Sequence, residues 1–338
     1  MNILLTSVGR RSYIVDYFKD VLAGIGKVHA ANSEFTYAMH IADESIITPL
    51  IHDKSYINFL LDYCVKNEIK AVLSLFDIDL PVLAANKERF MERGIQLVVS
   101  DYETIRICND KWLTNQFLKE NDFDVPLSFV SLQESLCAIE SRELRFPVVI
   151  KPRFGMGSIG VYQANHTEEL KILMAKTKQA ILGTYLKYEP MAALESNIII
   201  QEKITGKEIC IDAINDLEGN YLAGVTMWVK AMRAGESDIV EIVDEKKLHS
   251  IARDVSTKLK IIANWNIDTI IHEDRCYILE MNCRINGLSP FSYLAGANYF
   301  KAIIRMLMNQ PLSEALFTVK TGITGYKDLN PVAIRNEI

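Results

Sequence analysis

From Asn2 to Val99, short apolar runs alternate with stretches of helical apolar spacing, and no other feature restricts the fold of this chain so strongly. Asn2-Ile3-Leu4-Leu5-Thr6 closes on Ser7-Val8-Gly9-Arg10-Arg11. Ser12 to Ile25 then carries Tyr13, Ile14, Tyr17, Phe18, Val21 and Leu22 at the spacing of one helix face. Lys27–Ala31, Ala71–Leu75 and Gln96–Val99 read as further buried strands, with a helix from about Ser55 to Asn67 among them. Such alternation implies a parallel, doubly wound sheet, because a parallel connection needs a crossover long enough to hold a helix. Asp77 and Asp79 follow one of these strands, where open α/β sheets take ligands; a solvated turn and a helix N-cap is the plainer reading of the two. A dinucleotide-binding oxidoreductase has little in its favour, since its fingerprint needs three glycines at the first turn and this turn has Gly9.

The rest of the chain must hold at least one more domain, because 338 residues exceed the roughly 100–200 of a single one. Lys and Arg number 37 against 43 Asp and Glu, a net charge of −6, so clustered attraction to nucleic acid or anionic lipid is not expected. No apolar run approaches the ~18 residues of a transmembrane helix, and the start reads as a strand rather than a signal peptide. A cytoplasmic protein is the expectation. Six cysteines are scattered without a C-x-x-C pair, so they read as small apolar residues rather than zinc ligands.

Beyond Asp101 the motifs carry chemistry. A helix from about Asn109 to Asn121 includes Lys111, and Phe123-Asp124-Val125-Pro126 ends it. The strand Phe146–Pro152 ends in Lys151 and runs into Arg153-Phe154-Gly155-Met156-Gly157-Ser158-Ile159-Gly160. Gly155, Gly157 and Gly160 let backbone N–H groups approach an anion, Ser158 adds a hydroxyl, and Lys151 or Lys111 can meet a phosphate as a point charge. No Gly-Lys-Ser/Thr follows, so this is a flexible flap between two strands rather than a P-loop; a plain glycine hairpin is the alternative. After a helix over Thr167–Leu182, strands follow at Ile198–Glu202, Ile209–Ile214 and Tyr221–Val229, the last two forming a hairpin. A final pair, Asn266–His272 and Cys276–Met281, can set Asp268 opposite Glu280 with Asn282 on the same face. Two carboxylates and an amide oxygen converging in an apolar sheet suit Mg²⁺ shared with substrate phosphates, unless they are unrelated surface acids. Arg284 falls on that side too, where it can meet a phosphate or an oxyanion.

Taken together, the Lys111 helix, Phe146–Pro152 with its glycine loop, Gln201-Glu202-Lys203-Ile204 with Gly206 and Glu208, and Asp268 with Glu280-Met281-Asn282-Cys283-Arg284 resemble the ATP-grasp superfamily. The similarity is to its carbamoyl-phosphate-synthetase-like branch, over roughly residues 1–310. It implies α/β and α+β architecture: a Rossmann-like pre-ATP-grasp domain over 1–108, a linker helix and lid over 109–203, and a metal and substrate subdomain over 204–338. It further implies ATP and Mg²⁺, with Mn²⁺ as an alternative ion. Lys111, Lys151 and the loop around Gly155, Gly157, Ser158 and Gly160 would hold the phosphates. Glu202, Lys203 and Ile204 would frame the adenine and Glu208 the ribose. Asp268, Glu280 and Asn282 would ligate the metal, and Arg284, with Lys151, would stabilise the transition state.

The activity so implied is carboxylate–amine ligation through an acyl phosphate, releasing ADP and phosphate, on small-molecule substrates such as an amino acid. A non-catalytic ATP-binding sensor is the alternative. A homodimer stays open as the assembly. Lys230, Arg233, Asn286 and Ser289 are the residues expected to face the substrate, although Arg233 could equally be a solvated loop residue. Two departures from the family pattern matter. The chain has room for one ATP-grasp unit where the synthetase carries two, which argues against carbamoyl phosphate as product. Cys283 stands where proline is frequent.

Overall fold

The computed structural model describes residues 1–188 and 194–334. Its first sheet is built from β1 (Asn2–Thr6), β2 (Val28–Asn32), β3 (Glu44–Ile47), β4 (Ile69–Ser74) and β5 (Gln96–Leu97), all parallel, in the order β3-β2-β1-β4-β5. Helices α1 (Ser12–Leu22), α2 (Tyr37–Ile41), α3 (Tyr56–Lys66), α4 (Asp79–Ala84) and α5 (Lys87–Met91) make the crossovers. Strand order reverses at β1, so the crevice where such sheets hold ligands lies beyond the carboxyl ends of β1 and β4. Residues 7–11 and 75–79 occupy that crevice.

Two short helices, α6 (Tyr102–Asn109) and α7 (Lys111–Glu120), lead to a small α+β unit. It comprises β6 (Ser128–Phe129), α8 (Leu132–Glu140), β7 (Val148–Pro152), β8 (Tyr162–Ala164), α9 (Thr167–Leu182) and β9 (Ile198–Glu202), with antiparallel strands ordered β6-β9-β7-β8. The six-stranded sheet follows: β10 (Lys207–Asn215), β11 (Tyr221–Arg233), β12 (Glu236–Val243), β13 (Asn264–His272), β14 (Arg275–Asn282) and β15 (Thr324–Tyr326), ordered β14-β13-β10-β11-β12-β15. Helix α10 (Lys246–Leu259) covers it, and α11 (Ser289–Ala295) and α12 (Tyr299–Leu307) return the chain towards the first sheet.

The way the apolar core divides matters for the site. Phe18 of α1 meets Phe300 of α12 edge-on at 5.2 Å, and Tyr17 stacks on Tyr293 at 4.0 Å. One cluster thus joins the first sheet to α11 and α12, and a second joins α3 and β4 to α10, β13 and β14. The small α+β unit packs a third cluster of its own, around Ile150, Leu170, Ile198 and Ile200. No helix among the described residues is long and apolar enough to cross a membrane.

Candidate active site

The site starts from Asp110, between α6 and α7. Its Oδ1 accepts from the backbone N–H groups of Trp112 (3.0 Å) and Leu113 (3.3 Å), capping α7. The same carboxylate receives a two-pronged bond from Arg153, at 2.6 and 2.7 Å, and the Lys111 N–H donates to the Arg153 carbonyl at 3.0 Å. Arg153 follows β7, so this lock fixes the start of α7 beside the end of the strand that carries Lys151. The Asp110→Ala variant leaves a largely buried guanidinium unpaired and an uncapped helix, for an expected loss of about 3–5 kcal/mol in urea unfolding. Asp110→Asn, which can still cap, is expected to lose less.

The locked Lys111 Nζ donates to the Gly155 carbonyl at 2.6 Å and lies 3.3 Å from Glu280 Oε2. Glu280 sits on β14 directly opposite Asp268 of β13, and Asn282 opposite Asn266. Asn266 Nδ2 donates to Asp268 at 2.7 Å and Asn282 Nδ2 does so at 3.4 Å. Burial, then the charge of Glu280, pushes the Asp268 carboxyl up to about 8. Burial also presses on Glu280, but Lys111 and Lys151 outweigh it and hold that group below its usual range. Of the two acids, Glu280 is the one the lysines favour as the carboxylate. Lys151, 8% exposed, is brought down to about 8 by burial against the pull of Glu280, and Glu208 is raised to about 7 by burial and Glu280.

This donor set fits Mg²⁺. Among the described residues no three His, Cys, Asp or Glu side chains form a metal cage. Two carboxylates flanked by amide oxygens, one of them the buried and unpartnered Oδ1 of Asn266, are nevertheless what Mg²⁺ takes from a protein when phosphates and water complete its octahedron. The cleft is lined by Asp77, Asn109, Lys111, Phe154, Gly155, Glu280 and Asn282 and encloses about 20 Å³, room for a single water. Phe154 and Gly155, at the start of the glycine loop, form part of its wall. Gly155, Gly157, Ser158 and Gly160 all have positive φ, and the loop presses on the turn between β11 and β12. A Cβ on Gly235 would stand 2.2 Å from the Gly157 carbonyl carbon.

Other residues singled out in the sequence lie elsewhere. The Glu202 backbone and side chain are engaged with Leu127, and Lys203 bonds Gln163 of β8. Ile204 is half-buried between β9 and β10. Glu208 faces the acids rather than standing apart from them, as its raised pKa records. Lys230 pairs with Glu241, and Arg233 pairs with Asp238 and donates to the Lys327 carbonyl at 2.7 Å. Arg233 closes β11 and is not a loop residue.

Asn286 and Ser289 require a correction. Both are buried, at 3% and 1% exposure, and both donate to Asp212 Oδ1, at 2.8 and 3.3 Å; they build an internal cluster rather than the wall of a substrate cleft. Asp212 is raised to about 6 by burial against these bonds. Of the two readings of Asp77 and Asp79, the solvated turn and cap is not what the structure shows, since both are buried. Asp79 neither caps a helix nor meets solvent; it is fully buried and accepts from Thr6, Ser7, Tyr56 and Ser74. Asp77 takes a 2.6 Å bond from Arg284 Nη2 across the boundary between the first domain and the large sheet. Arg284 is therefore at the cleft but already paired, with its Nε left unpartnered.

Sequence reasoning missed Asp110 and Arg153, although an Asp before a helix is a capping signal. It also missed Asn266, whose position two before Asp268 puts it on the same strand face.

This combination of a parallel first sheet, a small lid with a glycine loop and a large sheet bearing paired acids defines the ATP-grasp class. Residues 108–288, over half of the chain, match the ATP-grasp domain family, and the protein belongs to it. Residues 3–98 match the family described as PylC-like, N-terminal domain. Solved structures share the fold. The biotin carboxylase domain of 2-oxoglutarate carboxylase from Hydrogenobacter thermophilus, in complex with MgADP, ADP and bicarbonate, aligns with a TM-score of 0.72 at 16% identity, over 96% of this chain and 73% of that one. The L-amino acid ligase from Bacillus licheniformis aligns at 0.68 and 17%, over 96% and 78%. The N5-carboxyaminoimidazole ribonucleotide synthetase from Thermotoga maritima aligns at 0.66 and 20%, over 92% and 77%.

Proposed function

We propose that the protein is an ATP- and Mg²⁺-dependent carboxylate–amine ligase that works through an acyl phosphate. The observation that carries this reading is the convergence of Lys111, Lys151, Asp268 and Glu280 beside the glycine loop, a site with charges for phosphates and metal. ATP would supply the γ-phosphoryl group that activates a carboxylate, and Mg²⁺, or Mn²⁺ with the same oxygen ligands, would neutralise the phosphates. Asp268, Glu280 and the amide oxygens of Asn266 and Asn282 would hold the metal. Lys111 and Lys151 would bind and orient the phosphates, and the Arg284 guanidinium, held by Asp77, adds positive charge beside the acid pair. Closure of the loop would exclude water from an intermediate that water would destroy. The ADP-bound complex described for the Hydrogenobacter domain and the ligase from Bacillus licheniformis support a nucleotide and a ligation on this fold.

The test is phosphate release from Mg-ATP over a matrix of carboxylates and amines, with product mass measured. A condensation product that appears with stoichiometric ADP supports the reading. Stabilisation by Mg-ATP with no ADP release across the matrix identifies a sensor instead.

A further inference from the structure

Seven buried side-chain N or O atoms among the described residues have no hydrogen-bond partner, and five of them lie at one junction: Arg11 Nε, Arg284 Nε, Lys327 Nζ, Asp77 Oδ1 and Asn109 Oδ1. The junction is where the loop after β1, the ends of β4 and β14, and the residue after β15 meet. Arg284 Nη2 donates to Asp77 Oδ2 at 2.6 Å, and Asn109 Nδ2 donates to the Asp77 carbonyl at 2.8 Å. Arg11 Nη1 donates to the Leu75 carbonyl at 2.9 Å and Arg11 Nη2 lies 3.7 Å from Glu236, which also stands 3.7 Å from Lys327 Nζ. A Cβ on Gly287, three residues after Arg284, would sit 3.3 Å from the same Nζ. Arg11, Arg284 and Lys327 thus meet beside Asp77 and Glu236 with N–H groups left over. Buried N–H groups without partners cost free energy unless an acceptor meets them.

We propose that this junction binds the α-carboxylate and α-amino group of an amino acid, the amine substrate of the ligation; the inference rests on the ligase reading above. A carboxylate answers the three unused donors of Arg11, Arg284 and Lys327, and an amino group answers the two unused acceptors of Asp77 and Asn109. The orientation follows from the cleft, because Asp77 and Asn109 line it together with Lys111, Gly155 and Glu280 whereas Arg11 and Lys327 do not. The amino group therefore points towards the phosphates and the carboxylate away from them. The position agrees with the reversal of strand order at β1, which places ligands at the ends of β1 and β4.

The experiment is thermal shift and calorimetric titration of the full chain, without nucleotide, against the twenty common amino acids, their α-carboxamides and the matching acids that lack the amino group. Inorganic phosphate is a further arm. At least one amino acid is expected to stabilise the protein, with its carboxamide and its des-amino acid each binding at least tenfold more weakly and phosphate giving no shift. Arg11→Gln and Lys327→Gln are each expected to weaken that amino acid at least tenfold, with binding of a fluorescent ATP analogue within about threefold of wild type; Arg11→Lys and Lys327→Arg recover part of the loss. Equal binding of acid and carboxamide, a shift by phosphate alone, or unchanged affinity in both glutamine variants overturns the proposal. So does binding of Mg-ATP with no response to any amino acid, which leaves the nucleotide site standing. Failure of Mg-ATP to bind while an amino acid does removes the ligase reading and keeps the junction as an amino-acid site.

Discussion

The Glu280→Gln variant is expected to lose ATP turnover by about a thousandfold while keeping its fold. The size follows from what the side chain does: it is the ionised member of the acid pair and the counter-charge of both Lys111 and Lys151. Loss of one preorganised charge at a phosphoryl-transfer site costs about 10²–10³ in rate, and loss of a metal ligand adds to that. The fold survives because glutamine has the same shape and because the partner adjusts. Once Glu280 is neutral, one cause of the raised Asp268 pKa is gone, and that carboxyl shifts towards its charged form although burial still opposes it. Phosphate release titrated with Mg²⁺, alongside circular dichroism, measures both halves. Turnover near the wild-type level would end the metal assignment.

The second large effect is at Lys151. Replacement by Met is expected to raise the KM for ATP about 10–100-fold, or to remove activity, because a buried ammonium is lost from the phosphates. Stability should move the other way. Burial lowers the Lys151 pKa from 10.5 to about 8 in the folded protein, so the folded state binds fewer protons between those values and stability rises with pH across that window. Below pH 8 the charge is a cost that Met does not carry, and the melting temperature of Lys151→Met at pH 7 is expected not to fall. The wild type should also bind ATP more weakly without Mg²⁺ as pH rises through about 8. Lys151→Arg, charged throughout, should flatten that profile. A Met variant that melts early and binds ATP normally would show that Lys151 serves packing alone.

Much of this site was legible because its residues sit on regular elements. The period of two placed Asp268 against Glu280 and Asn282 on the same face, and β13 and β14 pair in that register. The apolar run to Pro152 and the glycines after it are local signals, read without knowledge of what they pack on. The illegible part depends on long-range contacts. Asn286 and Ser289 follow the acid strand and look exposed to the cleft, but a buried Asp212 from β10, over seventy positions away, needs their donors. The burial of Asp79 was illegible for the same reason, since its partners Thr6 and Tyr56 come from β1 and α3, far away in sequence. The partners of Lys230 and Arg233 were illegible because β12 is hidden in sequence: irregular pairing between Val229 and Met232 breaks the alternation, and the acids Asp238 and Glu241 that pair with the two cations stand on that strand.

The division of the apolar core has a consequence for how the molecule breathes. The first sheet and the large sheet share two clusters, while the lid strands β6 to β9 keep a smaller one to themselves. Local unfolding follows such divisions, and the unit with the least buried apolar surface opens at the lowest free energy. The lid is that unit, and it carries the loop that borders the cleft. The same division would make the lid's own order depend on any ligand held beneath it: part of a binding free energy would go into ordering the lid, and affinity would then depend on how often it is open as well as on the contacts made.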